Sequence, residues 1–138
     1  MTEHILPVPD ETSAPYWQAC AHHELTLARC SDCGAFAHPP DVTCPNCHSL
    51  EPRFAFEPVS GLGKVKTWIQ VRHSFLGGFE LPFLLVDVQL DEHPHIRLIG
   101  RLVDGLDTVL KIGDAVAVTF DDLAPGVAVP AFTRTDAS

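Results

Sequence analysis

Cys30-Ser31-Asp32-Cys33-Gly34 and Cys44-Pro45-Asn46-Cys47-His48 decide how this chain is read. Each stretch carries two cysteines with two residues between them, and ten residues, 34–43, separate the pairs. A Cys-x2-Cys turn aims two thiolates at one ion while backbone N–H groups donate to the sulfurs. Two such turns make a tetrathiolate cage. Gly34 lets the chain leave the first turn without a Cβ clash. The competing reading is two disulfides in a secreted domain. The N-terminus, Met1-Thr2-Glu3-His4, lacks the basic start and apolar run of a secretory signal and argues against it. Cys30, Cys33, Cys44 and Cys47 are therefore expected to hold one ion. Zinc suits four sulfurs in tetrahedral geometry, and iron in the same cage is the alternative. With all four positions taken by protein, no place remains for water or substrate, so the metal is expected to be structural.

The fifth cysteine, Cys20, lies ten residues before the first pair. It reads as a small buried hydrophobe rather than a reactive thiol. His22, His23, His38 and His48 lie near the cysteines, but four thiolates already complete the shell. They are expected at the surface or beside the cage.

Outward from the cage, three short extended pieces predict a small ribbon over 25–57. They are Glu24–Arg29, Phe36–Pro40 and the alternation of Phe54 with Phe56. The ribbon has almost no apolar core of its own, so metal binding must supply much of its folding free energy. Residues 1–24 read as a tail and a helix that starts with Ser13 as N-cap and Pro15 in the first turn and ends near His23. After Pro58 the pattern changes. Strands are expected at 64–73, opened by Gly61-Leu62-Gly63, and at 83–90, 96–102, 115–120 and 127–132, with Gly and Asp between them. Five short strands over 58–133 predict a small barrel, best matched by the OB-fold, followed by a tail at 134–138. The fold class expected is mostly β: an N-terminal helix, a three-stranded zinc ribbon, then a five-stranded OB-fold barrel.

Composition narrows function. The 138 residues hold nine Lys and Arg against eighteen Asp and Glu, a formal charge of -9. Such a chain is repelled by a phosphate backbone. No apolar run approaches the ~20 residues of a membrane span, and the expectation is a cytoplasmic protein. No nucleophile elbow, phosphate-cradling glycine loop or open metal site stands out. No catalytic residue is therefore assigned. Glu80, Asp87 and Asp91 read as a solvated face, Arg72-His73 as an exposed strand end, and His93-Pro94-His95 as a hairpin tip.

With both halves placed, the chain resembles the stand-alone proteins that join a rubredoxin-like zinc ribbon to an OB-fold and accompany acyl-CoA enzymes. The residues that carry the resemblance are Pro15-Tyr16-Trp17-Gln18-Ala19-Cys20, Leu27-Ala28-Arg29-Cys30-Ser31-Asp32-Cys33-Gly34 and Pro39-Pro40. They continue through Cys44-Pro45-Asn46-Cys47, Gly61-Leu62-Gly63-Lys64-Val65, Gly100-Arg101-Leu102 and Ile112-Gly113-Asp114, and span roughly 13–133. The resemblance implies a non-catalytic auxiliary subunit. Its partner would be a thiolase-fold enzyme acting on acyl-CoA thioesters: a thiolase, a hydroxymethylglutaryl-CoA synthase or a lipid-transfer-type aldolase of steroid breakdown. An enoyl-CoA hydratase is a further partner. The implied role is assembly, shaping of the acyl-CoA pocket or transfer of an intermediate. Only the four metal cysteines carry over.

The alternative is a single-stranded nucleic-acid-binding ribbon and OB module. The segment 61–132 carries six Lys and Arg against nine Asp and Glu, which argues against it. A lone acyl-CoA hydrolase or transferase is the third reading. Partner or acyl-CoA contact is expected at Phe75, Leu76 and Phe79, apolar residues on a long connection between the first two barrel strands. It is also expected at Tyr16 and Trp17 on the helix, which has little ribbon core to enter.

Overall fold

The computed structural model describes residues 6–73 and 82–135. Helix α1 (Ala14–Ala21) leads into a three-stranded antiparallel sheet of β1 (Thr26–Arg29), β2 (Phe36–Ala37) and β3 (Ala55–Pro58), in the order β2-β1-β3. Then come β4 (Leu62–Val71), β5 (Phe83–Leu90), β6 (Arg97–Leu102), β7 (Ala115–Ala124) and β8 (Val127–Arg134). They close into a barrel in the order β4-β5-β6-β8-β7. The fold is mostly β, a ribbon followed by an OB-fold, as expected.

The barrel follows from strand alternation. On β5, Leu84, Val86, Val88 and Leu90 point inward and are buried, and on β6 Leu98 and Leu102 do the same. β4 carries a register shift between Val65 and Thr67. Such a bulge bends a long strand. Here it lets β4 pair with β5 along most of its length and with β7 through Leu62–Lys64. β7 and β8 form a hairpin in which Ala124 faces Val127 across Pro125-Gly126. Closure is parallel, through Arg101 opposite Ala131 and Leu102 opposite Phe132.

The helix starts where expected, with Ser13 as N-cap residue and Pro15 in the first turn, but it is capped differently. The Ser13 side chain caps nothing; its hydroxyl accepts the Asp10 N–H at 3.1 Å. Asp10 organises the turn instead. Its Oδ1 accepts the N–H groups of Thr12 and Ser13 at 3.0 and 2.8 Å. The turn that leads into the helix thus begins at Asp10, whose backbone carbonyl also accepts the Ala14 N–H at 2.9 Å. The helix ends at Ala21, with the N–H groups of His22 and His23 returning to Ala19 and Cys20.

A second correction concerns the core. The ribbon does not stand apart with little apolar content. Tyr16 and Cys20 from α1, and Leu25 and Leu27 at β1, join Val65, Val86, Leu102 and Phe132 of the barrel in one continuous cluster. The helix packs against both β1 and β8, so the inner face of β1 enters a core already lined by the barrel. Leu27 and Phe132 are fully buried, each such side chain contributing roughly 1.5–3 kcal/mol. No helix among the described residues is long and apolar enough to cross a membrane.

Candidate functional site

The four cysteines converge. Their Sγ atoms all lie within 4.8 Å of one another, with Cys30 to Cys47 at 3.8 Å and Cys33 to Cys44 at 3.7 Å. A tetrahedral ion about 2.3 Å from each sulfur needs sulfurs roughly 3.8 Å apart, so the spacing fits a four-coordinate metal. It does not fit a disulfide, which needs sulfurs about 2.05 Å apart, and all five cysteines are free.

Two equivalent turns build the cage. In each, the N–H after the second cysteine returns to the carbonyl of the first: Gly34 to Cys30 at 2.8 Å, His48 to Cys44 at 2.9 Å. Those two residues occupy the left-handed region, Gly34 at φ 77° and His48 at φ 63°. Glycine adopts it freely, whereas histidine accepts strain there. His48 is thus a turn residue, and the cluster consists of cysteines alone. Cys30 and Cys44 are buried while Cys33 and Cys47 are exposed. Donors surround the sulfurs: the N–H groups of Asn46 and Cys47 point at Cys44 at 3.4 and 3.5 Å, and the Asn46 amide points at Cys33 at 3.5 Å. The Asn46 amide and the Ala35 N–H bring the Cys33 thiol down to about 6. Donors of this kind favour the thiolate, the form that binds metal.

Ser31 and Ser49 brace the outside of the cage. The Ser31 hydroxyl donates to the Arg53 carbonyl and the Ser49 hydroxyl to Asp32. The Arg29 guanidinium donates to the Gly34 carbonyl at 3.1 Å and lies over the Phe36 ring.

Next to the ribbon lies a cleft of about 1190 Å³. Trp17, the segment His38-Pro39-Pro40 and the length of β6 line it. Tyr16 faces it from beneath, with its ring 5.0 Å from Trp17 and 5.1 Å from His38. At 5 % exposure Tyr16 is a core residue. It enters a core that the barrel supplies and still lines the cleft. Trp17 is half-buried and remains on the cleft wall. Phe75, Leu76 and Phe79 lie outside the described residues. Cys20 is fully buried, as expected, with the Tyr16 hydroxyl as hydrogen-bond partner.

The histidines divide in ways that the sequence did not signal. His38 is half-buried in the cleft, its Nδ1 buried without a partner among the described residues. Burial holds its pKa below the ordinary value. His93 and His95 lie in the β5–β6 turn, the hairpin tip expected, and also dock on the ribbon. The His93 ring lies 4.2 Å from Phe36, and His95 Nε2 is 3.3 Å from the Phe36 carbonyl oxygen. The one advance signal was Pro39-Pro40, a stiff extended segment placed between the two cysteine pairs.

Comparison with known proteins follows the same division of the chain. Residues 17–53 match the model of the ChsH2 rubredoxin-like zinc ribbon domain, and residues 56–121 match that of the ChsH2 C-terminal OB-fold domain. A solved chain described as "Ltp2-ChsH2(DUF35) aldolase" is 27 % identical with a TM-score of 0.81, covering 93 % of this chain and 98 % of that one. A protein of Thermomonospora curvata named "Probable enoyl-CoA hydratase alpha subunit" is 28 % identical over 126 residues. That match takes in 91 % of this chain, which spans 38 % of the relative's length.

Proposed function

This chain belongs to the ChsH2 family of zinc-ribbon and OB-fold proteins, and on that premise we propose that it is a non-catalytic auxiliary subunit of an enzyme acting on acyl-CoA thioesters. The partner in this reading is a thiolase-fold enzyme, a thiolase or a lipid-transfer-type aldolase, with an enoyl-CoA hydratase as second candidate. The observation that carries the reading is the likeness, over almost the whole length of both chains, to a chain solved in an aldolase described with Ltp2 and ChsH2. The hydratase candidate rests on the Thermomonospora curvata relative, which is much longer than this chain.

Within the subunit, Cys30, Cys33, Cys44 and Cys47 bind one structural zinc. The ribbon takes 25–57 and the barrel 58–133. Zinc would supply the cross-link that the short ribbon strands need, and the cage leaves no position for substrate. The subunit acts in the cytoplasm and meets acyl-CoA through the complex. Its role is to assemble the partner, complete its pocket or pass on an intermediate. A nucleic-acid reading is disfavoured by the barrel's own cations. Lys64, Arg97 and Arg101 pair with Asp91, Asp87 and Asp121, which leaves less positive charge for phosphates.

Co-expression tests the assignment. Thiolase-fold and hydratase candidates are each produced with and without this chain, then examined by size-exclusion chromatography and acyl-CoA assay. Co-elution with one of them, and higher activity or solubility of that partner, is expected. Acyl-CoA turnover by the purified chain alone, at ~1 per second or faster, would overturn it.

A further inference from the structure

The cysteine cage and the cleft share one piece of chain. Residues 34–43 join Cys33 to Cys44. The connection contains β2 and then His38-Pro39-Pro40, which forms one wall of the cleft facing β6. Its first part is tied down on several sides. Ala37 pairs with Ala28 and Phe36 with Arg29 on β1, while His93 and His95 of the β5–β6 turn rest on Phe36. The wall itself has less to hold it. The two prolines have no N–H to donate, and His38 Nδ1 has no partner among the described residues. What His38 has is ring contact with Tyr16. The position of the wall is therefore set by what flanks it. On one side is β2, held to β1, and on the other the chain runs into the Cys44 turn.

Each sulfur has a neighbour from the other turn at 3.7–3.8 Å, Cys30 with Cys47 and Cys33 with Cys44. One ion bound by all four would tie the Cys44 turn to the Cys30 turn, and its removal would break that cross-link. Loss of that tie loosens the Cys44 end of 34–43, the end that no strand holds.

We propose that occupancy of the cage sets the position of His38-Pro39-Pro40 and with it the width of the cleft, so that metal binding and cleft shape are one linked equilibrium. The inference rests on the reading of the four cysteines as a metal site. It adds that the ion acts on a surface it does not touch. Linkage makes the effect reciprocal: whatever displaces the wall weakens the metal, by the same factor that metal loss displaces the wall.

The test uses the full chain carrying Trp68→Phe, which leaves Trp17 on the cleft wall as the sole tryptophan. Metal content is measured first by elemental analysis. The ion is then removed with a strong chelator while Trp17 emission and its quenching by acrylamide are followed. A red shift with stronger quenching, reversed by added Zn²⁺, is expected. Chelator competition on His38→Ala and Pro40→Ala should show metal affinity about tenfold weaker. Ile99→Ala, on β6 across the cleft, should keep the parental affinity. A chain that holds no metal removes the reading on which the inference stands. A chain that holds metal, but whose Trp17 ignores its removal, overturns the inference alone. So do His38→Ala and Pro40→Ala variants that both bind metal as tightly as the parent.

Discussion

Arg101 on β6 and Asp121 on β7 grip each other with two parallel hydrogen bonds, Nε to Oδ2 at 2.9 Å and Nη2 to Oδ1 at 2.7 Å. β8 runs between those strands in the sheet order, so the pair reaches across the strand that closes the barrel. It does so where β6 and β8 are joined by only two register pairs, at Arg101 and Leu102. Exposed ion pairs contribute about 0–1 kcal/mol, and a bidentate, partly buried arginine belongs at the top of that range. Arg101→Ala is expected to cost about 1 kcal/mol in urea denaturation, against almost nothing for Lys64→Ala, whose pair with Asp91 is more exposed. Equal losses in the two variants would show that the crossing pair has no special part in closure.

Gly63 marks the other tight place in the barrel. It faces Leu90 on β5 and Val116 on β7 at once. A Cβ there would lie 2.4 Å from Val88 Cγ1 and 2.6 Å from the Gln89 carbonyl oxygen. The second contact is with backbone, which cannot move aside without breaking the β4–β5 ladder. Gly63→Ala is therefore expected to cost about 2–3 kcal/mol or more. Gly126→Ala is the comparison. Nothing lies within 4 Å of its added Cβ, and only the φ of 74° is unfavourable, at about 1–2 kcal/mol. Thermal melts should rank Gly63→Ala below Gly126→Ala.

The sequence pattern made the barrel legible because each strand carries its own record of which face is buried. The alternation of Leu84, Val86, Val88 and Leu90 needs no knowledge of the neighbouring strand. The cysteine cage was legible for a similar reason, since each turn is complete within five residues. Contacts between distant segments leave no such record. Nothing local to Tyr16 says that its ring meets His38, or that Leu27 and Phe132 share one core. Those depend on how α1 seats the ribbon against β8. A helix beside a thin ribbon looks short of a core until the barrel is placed against it. Pro39-Pro40 reads as a plain connector until β6 is placed opposite.

The shared core also alters what loss of a ligand does. Cys44→Ser removes one corner of the cage, and metal content is expected to fall to near zero by elemental analysis. A ribbon with its own separate core would melt alone and leave the barrel unchanged. Because Leu25 and Leu27 pack in the same cluster as Val65 and Phe132, the barrel should lose stability as well. Amide exchange is expected to show β1–β3 unprotected and the protection of β4–β8 reduced but present. Full parental protection of the barrel would mean that ribbon and barrel are energetically independent.

Cys20 gives the opposite expectation, a cysteine whose removal leaves the metal untouched. It is fully buried against Tyr16 and lies outside the cage. Burial pushes its thiol up to about 11 from an ordinary value of about 9, only partly offset by the Tyr16 hydrogen bond. Burial holds the Tyr16 phenol up as well. Both groups are thus kept neutral in the folded chain at pH values where the unfolded chain ionises. As pH rises past about 9, the unfolded state releases the Cys20 proton first. The contribution is complete below pH 9 and is lost as pH rises from 9 towards 11. Cys20→Ala removes this thiol, so its stability should decline less steeply than the parent's over that window, at the cost of a small cavity. Metal content should equal that of the parent. At pH 8 the folded, metal-loaded chain should resist iodoacetamide at Cys20 and react there only after denaturation, as peptide mass analysis would read. Rapid labelling of Cys20 in the native chain, or metal loss in Cys20→Ala, would remove the thiol from the core and bring it into the chemistry of the cage.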